Sequence, residues 1–302
     1  MKNILITGAT GLIGTELLKH LSKTGYTTGI LTTRKSLNIK NSFYWNYEKG
    51  YIDSKALEFA DIIVHLAGEN ISAGRWTKAQ KQKILDSRIK TSELLFNSIK
   101  KNKHKPIKII SASATGYYGI GISEKIFDEY DSPGNDFLAQ VVDKWEQSIV
   151  QFNSIGITYN ILRFGLVISP DGGFLKKMSI PMKYYAGSVL GSGKQYMPWI
   201  ELTDLARFIL FMIDNDIENE VFNTVAAHQI TNREFTFALA KAMKKPVLLP
   251  AIPEFILRIL FGEMSQVLIS GSRVSNQKLT DGGFEFYFNT LESVLSKYYP
   301  YS

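Results

Sequence analysis

An α/β fold, a doubly wound parallel sheet followed by a smaller C-terminal α+β substrate lobe, is what this sequence predicts, on three observations. An apolar run, Ile4-Leu5-Ile6, breaks into glycines at Gly8, Gly11 and Gly14 and continues as an amphipathic helix carrying Leu17, Leu18 and Leu21. Strand-like and helix-like segments then alternate as far as about residue 167. From residue 168 the alternation weakens, and the segments become shorter and richer in glycine, proline and aromatic side chains.

The glycine run predicts a nucleotide-phosphate cradle of the Rossmann type. Gly8 allows a sharp turn, Gly11 lets a pyrophosphate approach a backbone without a Cβ, and Gly14 lets the new helix pack on the strand. Thr10 stands in the same turn, and Leu12 and Ile13 open the helix whose free N–H groups hold the anion. The run Thr28 to Lys35 reads as the second strand. An acidic residue about 20 positions beyond the last glycine would bind the ribose 2′-OH of NAD. Arg34 stands there instead, with Lys35 after it, and a guanidinium fork matches a 2′-phosphate. NADP(H) is therefore the expected cofactor.

The remaining elements follow in order. A short strand is expected around Phe43-Tyr44-Trp45, and a buried strand from Asp61 to a glycine turn, whose end (Leu66, Ala67, Gly68) faces the cofactor. A long helix from Lys78 to Lys101, a strand from Ile107 to Ser111, a helix from Asp136 to Phe152 and a strand from Thr158 to Arg163 complete the series. Residues 1–167 thus read as the cofactor domain. Residues 168–302 read mostly as the substrate lobe, with late elements of the sheet interleaved. The glycine-rich segment 187–199 reads as a hairpin or lid that offers Lys194, Gln195 and Tyr196 to a ligand.

Composition narrows the class. With 302 residues and 45% hydrophobic content, the chain can bury a full core and a second lobe. Zero cysteines exclude disulfides, thiolate metal sites and a cysteine nucleophile. His20, His65, His104 and His228 are scattered, so no metal site is expected. The net charge of +7 suits attraction of a polyanionic cofactor. The lysines from Lys100 to Lys105 complement a helix end, and no nucleic-acid motif accompanies the charge, so no nucleic-acid partner is expected. No apolar run approaches the roughly 18 residues of a membrane span, and Met1-Lys2-Asn3 leads straight into the first strand. No membrane partner is expected, and the cytoplasm is the expected compartment.

Several motifs carry a resemblance: His65-Leu66-Ala67-Gly68-Glu69-Asn70-Ile71, Arg75-Trp76, Ser111 to Gly119, Asp143-Lys144-Trp145-Glu146, Asp171-Gly172-Gly173 and Leu190 to Tyr196. The chain resembles the extended short-chain dehydrogenase/reductases, and within them an atypical branch of nucleoside-diphosphate-sugar epimerase-like proteins. Gly262-Glu263, Ser272-Arg273-Val274, Lys278-Leu279 and Gly283-Phe284 are similar to that branch's C-terminal module of unknown function, about residues 250–298. Asn276 stands where the branch is expected to carry proline. The resemblance implies a small-molecule substrate and makes a homodimer the candidate oligomer, although no exposed patch in the sequence marks an interface.

The superfamily's usual engine is a Ser-Tyr-Lys set, with Tyr and Lys at i and i+4 on the helix that here runs from Asp136 to Phe152. That helix holds no tyrosine, and the pairs at this spacing, Phe137 with Val141 and Leu138 with Val142, are apolar. Ser113 remains from the set, and Tyr117, in a glycine-flanked turn four residues on, is the candidate proton donor. Glu69, Asn70 and Arg75 follow the buried strand, where α/β sheets bind ligands, and are candidates for substrate contact with Lys194 and Tyr196. Arg88 resembles the residue that this branch carries in place of a helix asparagine. Two readings stay open at this point: an NADP(H)-dependent oxidoreductase or epimerase-like enzyme with a rewired acid-base group, and an NADP(H)-binding sensor or scaffold without turnover.

Overall fold

The computed structural model describes residues 2–35 and 39–300. Ile4, Leu5 and Ile6 have no solvent exposure and make β1 (Asn3–Thr7) the centre of the sheet. Gly11 begins α1 (Leu12–Leu21), which buries Leu17 and Leu21 on the sheet. β2 (Thr27–Thr32) pairs in parallel, Asn3 opposite Thr27 through Thr7 opposite Leu31. The strand ends sooner than expected, so Arg34 and Lys35 lie in the loop beyond it. The Arg34 N–H donates to Thr32 Oγ1 at 3.1 Å, a local turn that draws the backbone off the ladder.

β3 (Ser42–Asn46) extends the sheet and β4 (Tyr51–Ile52) closes its edge antiparallel. Asp53 caps α2 (Ser54–Phe59), which leads into β5 (Ile62–His65), buried throughout. α3 (Lys78–Lys101) starts at its Thr77 cap, followed by β6 (Lys108–Ala114) and β7 (Ile122–Phe127). Asp136 Oδ1 accepts from the Leu138 and Ala139 N–H groups and fixes the start of α4 (Phe137–Val150). β8 (Thr158–Phe164), β9 (Leu166–Ile168), α5 (Gly173–Lys183), β10 (Trp199–Glu201), α6 (Leu202–Asp214) and β11 (Glu220–Thr224) come next. α7 (Asn232–Ala242), α8 (Glu254–Phe261), α9 (Gln266–Ile269), β12 (Gly271–Val274), α10 (Gln277–Asp281) and α11 (Leu291–Tyr298) complete the chain.

The main sheet runs β11-β8-β6-β5-β1-β2-β3-β4. The chain leaves β1 on one side through β2 and on the other through β5, so the crevice above β1 and β5 is the switch point where such sheets bind ligands. The sheet continues past residue 168: α6 packs on α1, and β11 pairs with β8. A second core, with Leu175, Met182, Trp199, Phe235 and Val294 fully or almost fully buried, holds the rest of the C-terminal half. β12 pairs in parallel with β7, so residues far apart in sequence join the two halves.

Segment 187–198 does not form the expected hairpin. It makes single bridges, Leu190 with Ile252 and Tyr196 with Thr231, and buries Val189, Leu190, Gln195 and Met197. Gln195 Nε2 donates to the Leu190 and Leu268 carbonyls at 3.0 and 2.8 Å, which ties the segment into the second core as a fixed wall. Trp76 and Trp199 pack as core residues, each donating its indole N–H to a carbonyl, of Ile71 and His228 respectively.

Candidate functional site

The switch point opens into a cleft lined by Gly8, Thr10, Arg34, Ala67, Gly68 and Glu69. The three glycines meet different needs. Gly8 has φ +68°, and a Cβ there would stand 2.8 Å from the Leu66 carbonyl. A Cβ on Gly14 would lie 2.5 Å from the Gly8 oxygen. At Gly11 a Cβ would meet only the Gly8 oxygen, at 3.2 Å, so the space above it is open to a ligand. No side chain caps α1 and no acidic residue occupies its first turn, leaving the N–H groups around Leu12 and Ile13 to an outside acceptor. This cradle fits a dinucleotide pyrophosphate. Arg34 is exposed, and no carboxylate among the described residues pairs with it. Lys35 does not line the cleft; its ammonium sits 5.1 Å from the centre of the Tyr44 ring.

Beneath the cleft His65 is fully buried, and burial drives its pKa down to about 3. Thr7 Oγ1 accepts from the Leu66 and Ala67 N–H groups, so its proton faces His65 Nδ1 at 2.8 Å. Nε2 then carries the ring proton toward Thr91 and Ser92, both at 3.3 Å, whose hydroxyls donate to helix carbonyls. This neutral chain sets the course of Leu66, Ala67 and Gly68. Trp45, Tyr47, Ser87 and Thr91 also border the cleft. The sequence reading left them out because strand and helix periodicity gives no sign of which residues top a crevice.

The expected substrate contacts divide. Glu69 lines the cleft, with Lys83 3.2 Å away and its N–H on Ser87 Oγ. Arg88 lies beside Gly68, 3.5 Å from where a Cβ would stand, and its guanidinium carbon is 5.2 Å from the Trp145 ring centre. Burial lowers its pKa to about 10, against the pull of Glu69. Asn70 is exposed and closes a local turn, accepting from Ser72 N and Oγ at 2.9 Å. Arg75 donates to the Ile259 and Leu260 carbonyls and so clamps the end of α8. It fastens the C-terminal module to the loop after β5.

Ser113 is buried at the end of β6 and donates to Glu146 Oε1 at 2.5 Å. Glu146 is gripped by Arg163 through two parallel bonds of 2.9 and 2.8 Å, a buried bidentate pair. Arg163 also donates to the Tyr118 hydroxyl, which donates to Asn223 Oδ1. Burial works against the Arg163 charge, but Glu146 and Tyr118 hold its pKa above the ordinary range. Tyr117 is half-buried, with the Arg163 guanidinium 3.5 Å from its ring centre. Burial raises its pKa, with Arg163 opposing and Glu146 and Asp143 assisting. The ring borders neither cavity described here; its neighbours Thr115, Gly116 and Gly119 border the second. Glu146 stood in a recognised motif and Arg163 at a strand end, but their pairing depends on the angle between α4 and β8.

That second cavity lies between the turn after β6 and the C-terminal module. Tyr196 borders it and donates its hydroxyl to Glu124 at 2.9 Å, which raises its pKa. Lys194 is exposed and lies outside the lining.

The model of the NAD dependent epimerase/dehydratase family matches residues 4–224, and a domain of unknown function, DUF1731, matches residues 252–297. An epimerase family protein of Staphylococcus aureus (strain N315) is 35% identical over 296 residues, 98% of each chain. One from Staphylococcus epidermidis is 37% identical over the same length and the same shares. Among solved structures, the human epimerase family protein SDR39U1 (isoform 2), determined with NADPH, superposes with TM-score 0.86 at 25% identity, covering 98% of each chain. A nucleoside-diphosphate sugar epimerase from Corynebacterium glutamicum superposes with TM-score 0.79 at 23% identity, over 98% of this chain and 57% of that one. With the glycine cradle at its switch point and both sequence models in register along it, the chain belongs to the NAD-dependent epimerase/dehydratase family, in the atypical short-chain dehydrogenase/reductase branch that carries this C-terminal module.

Proposed function

We propose that this protein is an NADP(H)-dependent oxidoreductase, epimerase-like in ancestry, that acts on a small carbonyl-bearing substrate without a Tyr-Lys pair. The observation that carries the reading is Arg34, an exposed guanidinium on the cofactor cleft that pairs with no carboxylate among the described residues. The NADPH held by the human relative supports the same cofactor. When bound, the cofactor supplies or accepts a hydride. Arg34 holds its 2′-phosphate, the α1 N-terminus its pyrophosphate, and Gly68 with Arg88 borders the path toward the substrate.

The proton has a different route from the superfamily's usual one. Ser113 directs its own proton to Glu146, so toward a substrate it offers lone pairs rather than a donor. Tyr117 lies in the turn whose Thr115, Gly116 and Gly119 border the second cavity, with the Arg163 guanidinium 3.5 Å from its ring centre as the cation that opposes the burial-driven rise in the phenol's pKa. Tyr117→Phe should cut turnover of an accepted carbonyl about 10²-fold while leaving NADPH affinity within about twofold. Unchanged turnover in that variant removes Tyr117 from the mechanism.

A second reading, NADP(H) binding without turnover, draws on the same network, since both Ser113 and Tyr117 face Arg163 and Glu146. It is favoured over the first if NADPH is not oxidised with any of a broad set of carbonyls and nucleotide sugars, and cofactor addition slows hydrogen exchange in segment 187–199.

A further inference from the structure

The cavity beside the turn after β6 has a lining whose chemistry restricts what it can hold. Seven of its bordering residues, Gln266, Val267, Leu268, Ser270, Gly271, Ser272 and Val274, come from the C-terminal module, and the facing wall is built by Ile120, Leu138, Leu166, Phe174 and Met197. No Lys, Arg, Asp or Glu is among the lining residues.

Arg75, Lys194 and Arg273 lie outside the lining: Arg75 holds the carbonyls that end α8, Lys194 is exposed, and Arg273, 3.9 Å from Glu124, has its guanidinium 5.5 Å from the centre of the Tyr196 ring. Gln195 and Asn232 border the cavity: Gln195 donates its amide to two carbonyls and keeps a buried Oε1 acceptor without a partner among the described residues, and Asn232 donates one N–H to the Met197 sulfur and accepts from the Leu190 N–H. A nucleoside diphosphate brings about two negative charges, and burying them against such a wall without a cation is strongly unfavourable.

We infer that the C-terminal module forms one wall of the substrate cavity and selects an uncharged, largely apolar carbonyl compound in preference to a nucleotide sugar. This rests on the reading above that the substrate is a carbonyl compound, and names its class. The wall is held in place by close backbone contact. The Gly271 N–H donates to the Gly121 carbonyl at 2.9 Å, and a Cβ on Gly271 would fall 1.9 Å from the Tyr196 oxygen. The module thereby shapes the cavity at fixed distance from the turn that follows Ser113.

The test uses the NADPH-saturated protein labelled with ¹³C at methionine methyl groups, since Met197 lies in the cavity wall. Acetophenone and UDP-glucose are titrated separately, and Met197→Leu assigns the resonance. Acetophenone should shift the Met197 methyl saturably, with an apparent Kd at least about tenfold below that of UDP-glucose. Val267→Lys, which places a cation in the wall, should weaken acetophenone at least about tenfold while NADPH affinity is retained. Equal or tighter binding of UDP-glucose at Met197, or no response of Met197 to either compound, overturns the inference. NADPH oxidation is followed in parallel. Saturable acetophenone binding without NADPH oxidation upholds the cavity's class while refuting the oxidoreductase reading, and reduction of NADP+ by UDP-glucose in the NADP+-loaded protein does the reverse.

Discussion

At Gly11 a Cβ would meet one atom, the Gly8 carbonyl oxygen at 3.2 Å, whereas at Gly8 and Gly14 it would be driven to 2.8 and 2.5 Å from backbone. Gly11 also has φ −81° and extended ψ, a conformation that a β-branched residue adopts readily. Gly11→Val should therefore fold with only a small drop in unfolding midpoint, as its Cβ presses on the Gly8 carbonyl, yet lose at least about 100-fold in NADPH affinity, because its methyls occupy the pyrophosphate's place. Wild-type affinity in that variant would mean that the cradle does not hold the phosphates.

The same scale decides the Glu146 and Arg163 pair. Glu146→Gln leaves a buried guanidinium without its counter-charge and should cost about 3–5 kcal/mol in urea unfolding, with much of the loss recovered by Glu146→Leu combined with Arg163→Met. A loss under about 1 kcal/mol would show the pair to be dispensable. His65 gives a pH signature. Its folded pKa of about 3 lies below the ordinary 6.5, so the unfolded chain binds the proton first. Its contribution is fully present above pH 6.5 and is lost as pH falls toward 3. Between pH 6.5 and about pH 4 the thermal midpoint of the native protein should fall more steeply than that of His65→Gln. Parallel curves would contradict the neutral buried imidazole.

At the scale of elements, α4 shows what periodicity reveals and what it hides. Its start was legible in Asp136, whose carboxylate caps it, and its apolar stripe in Val141, Trp145 and Ile149, all buried. Likewise Thr77 marks the start of α3, which runs over the expected residues. The stripe also explains why the lost catalytic pair is not restored by spacing alone. Phe137 and Val141 face a satellite core with Trp76, Ile84 and Met264. Phe137→Tyr with Val141→Lys should lower the thermal midpoint and add no turnover, because the lysine's charge enters apolar surroundings. A gain in NADPH oxidation would show that the pair reaches the cofactor.

Other elements were not legible. The early end of β2 is set by one hydroxyl, Thr32, bonding two residues ahead, and the glycines of 187–193 suggested a mobile hairpin where Gly191 and Gly193 instead serve turns with φ +58° and +74° in a packed wall. Local sequence reports how a segment can bend. It does not report what lies against it, and here Leu268 and Ile252, more than 50 residues on, decide the outcome.

Over the whole molecule, the fold was readable because its logic is repetitive: buried strands alternate with capped helices, and each strand carries the next parallel register. The cofactor side of the site was readable for the same reason, since the cradle is a continuous run from Gly8 to Gly14 and Arg34 follows the next strand. The substrate side was not. Its walls come from the turn after β6, α4, β9, α5, the 195–198 segment and the C-terminal module, and of the residues marked in advance there Glu69 and Tyr196 border a cavity while Asn70, Arg75 and Lys194 lie outside both. Among the described residues no helix is long and apolar enough to cross a membrane.

The account as a whole depends on the cofactor that enters the switch-point cleft. Parallel titration of NADPH and NADH, followed by nicotinamide fluorescence, tests it most directly, with Arg34→Asp as the paired variant. The native protein should bind NADPH at least about tenfold more tightly, roughly the 1.4 kcal/mol of one charge-assisted phosphate contact, and Arg34→Asp should erase or invert that preference. Superimposable curves for the two cofactors with the native protein would contradict it.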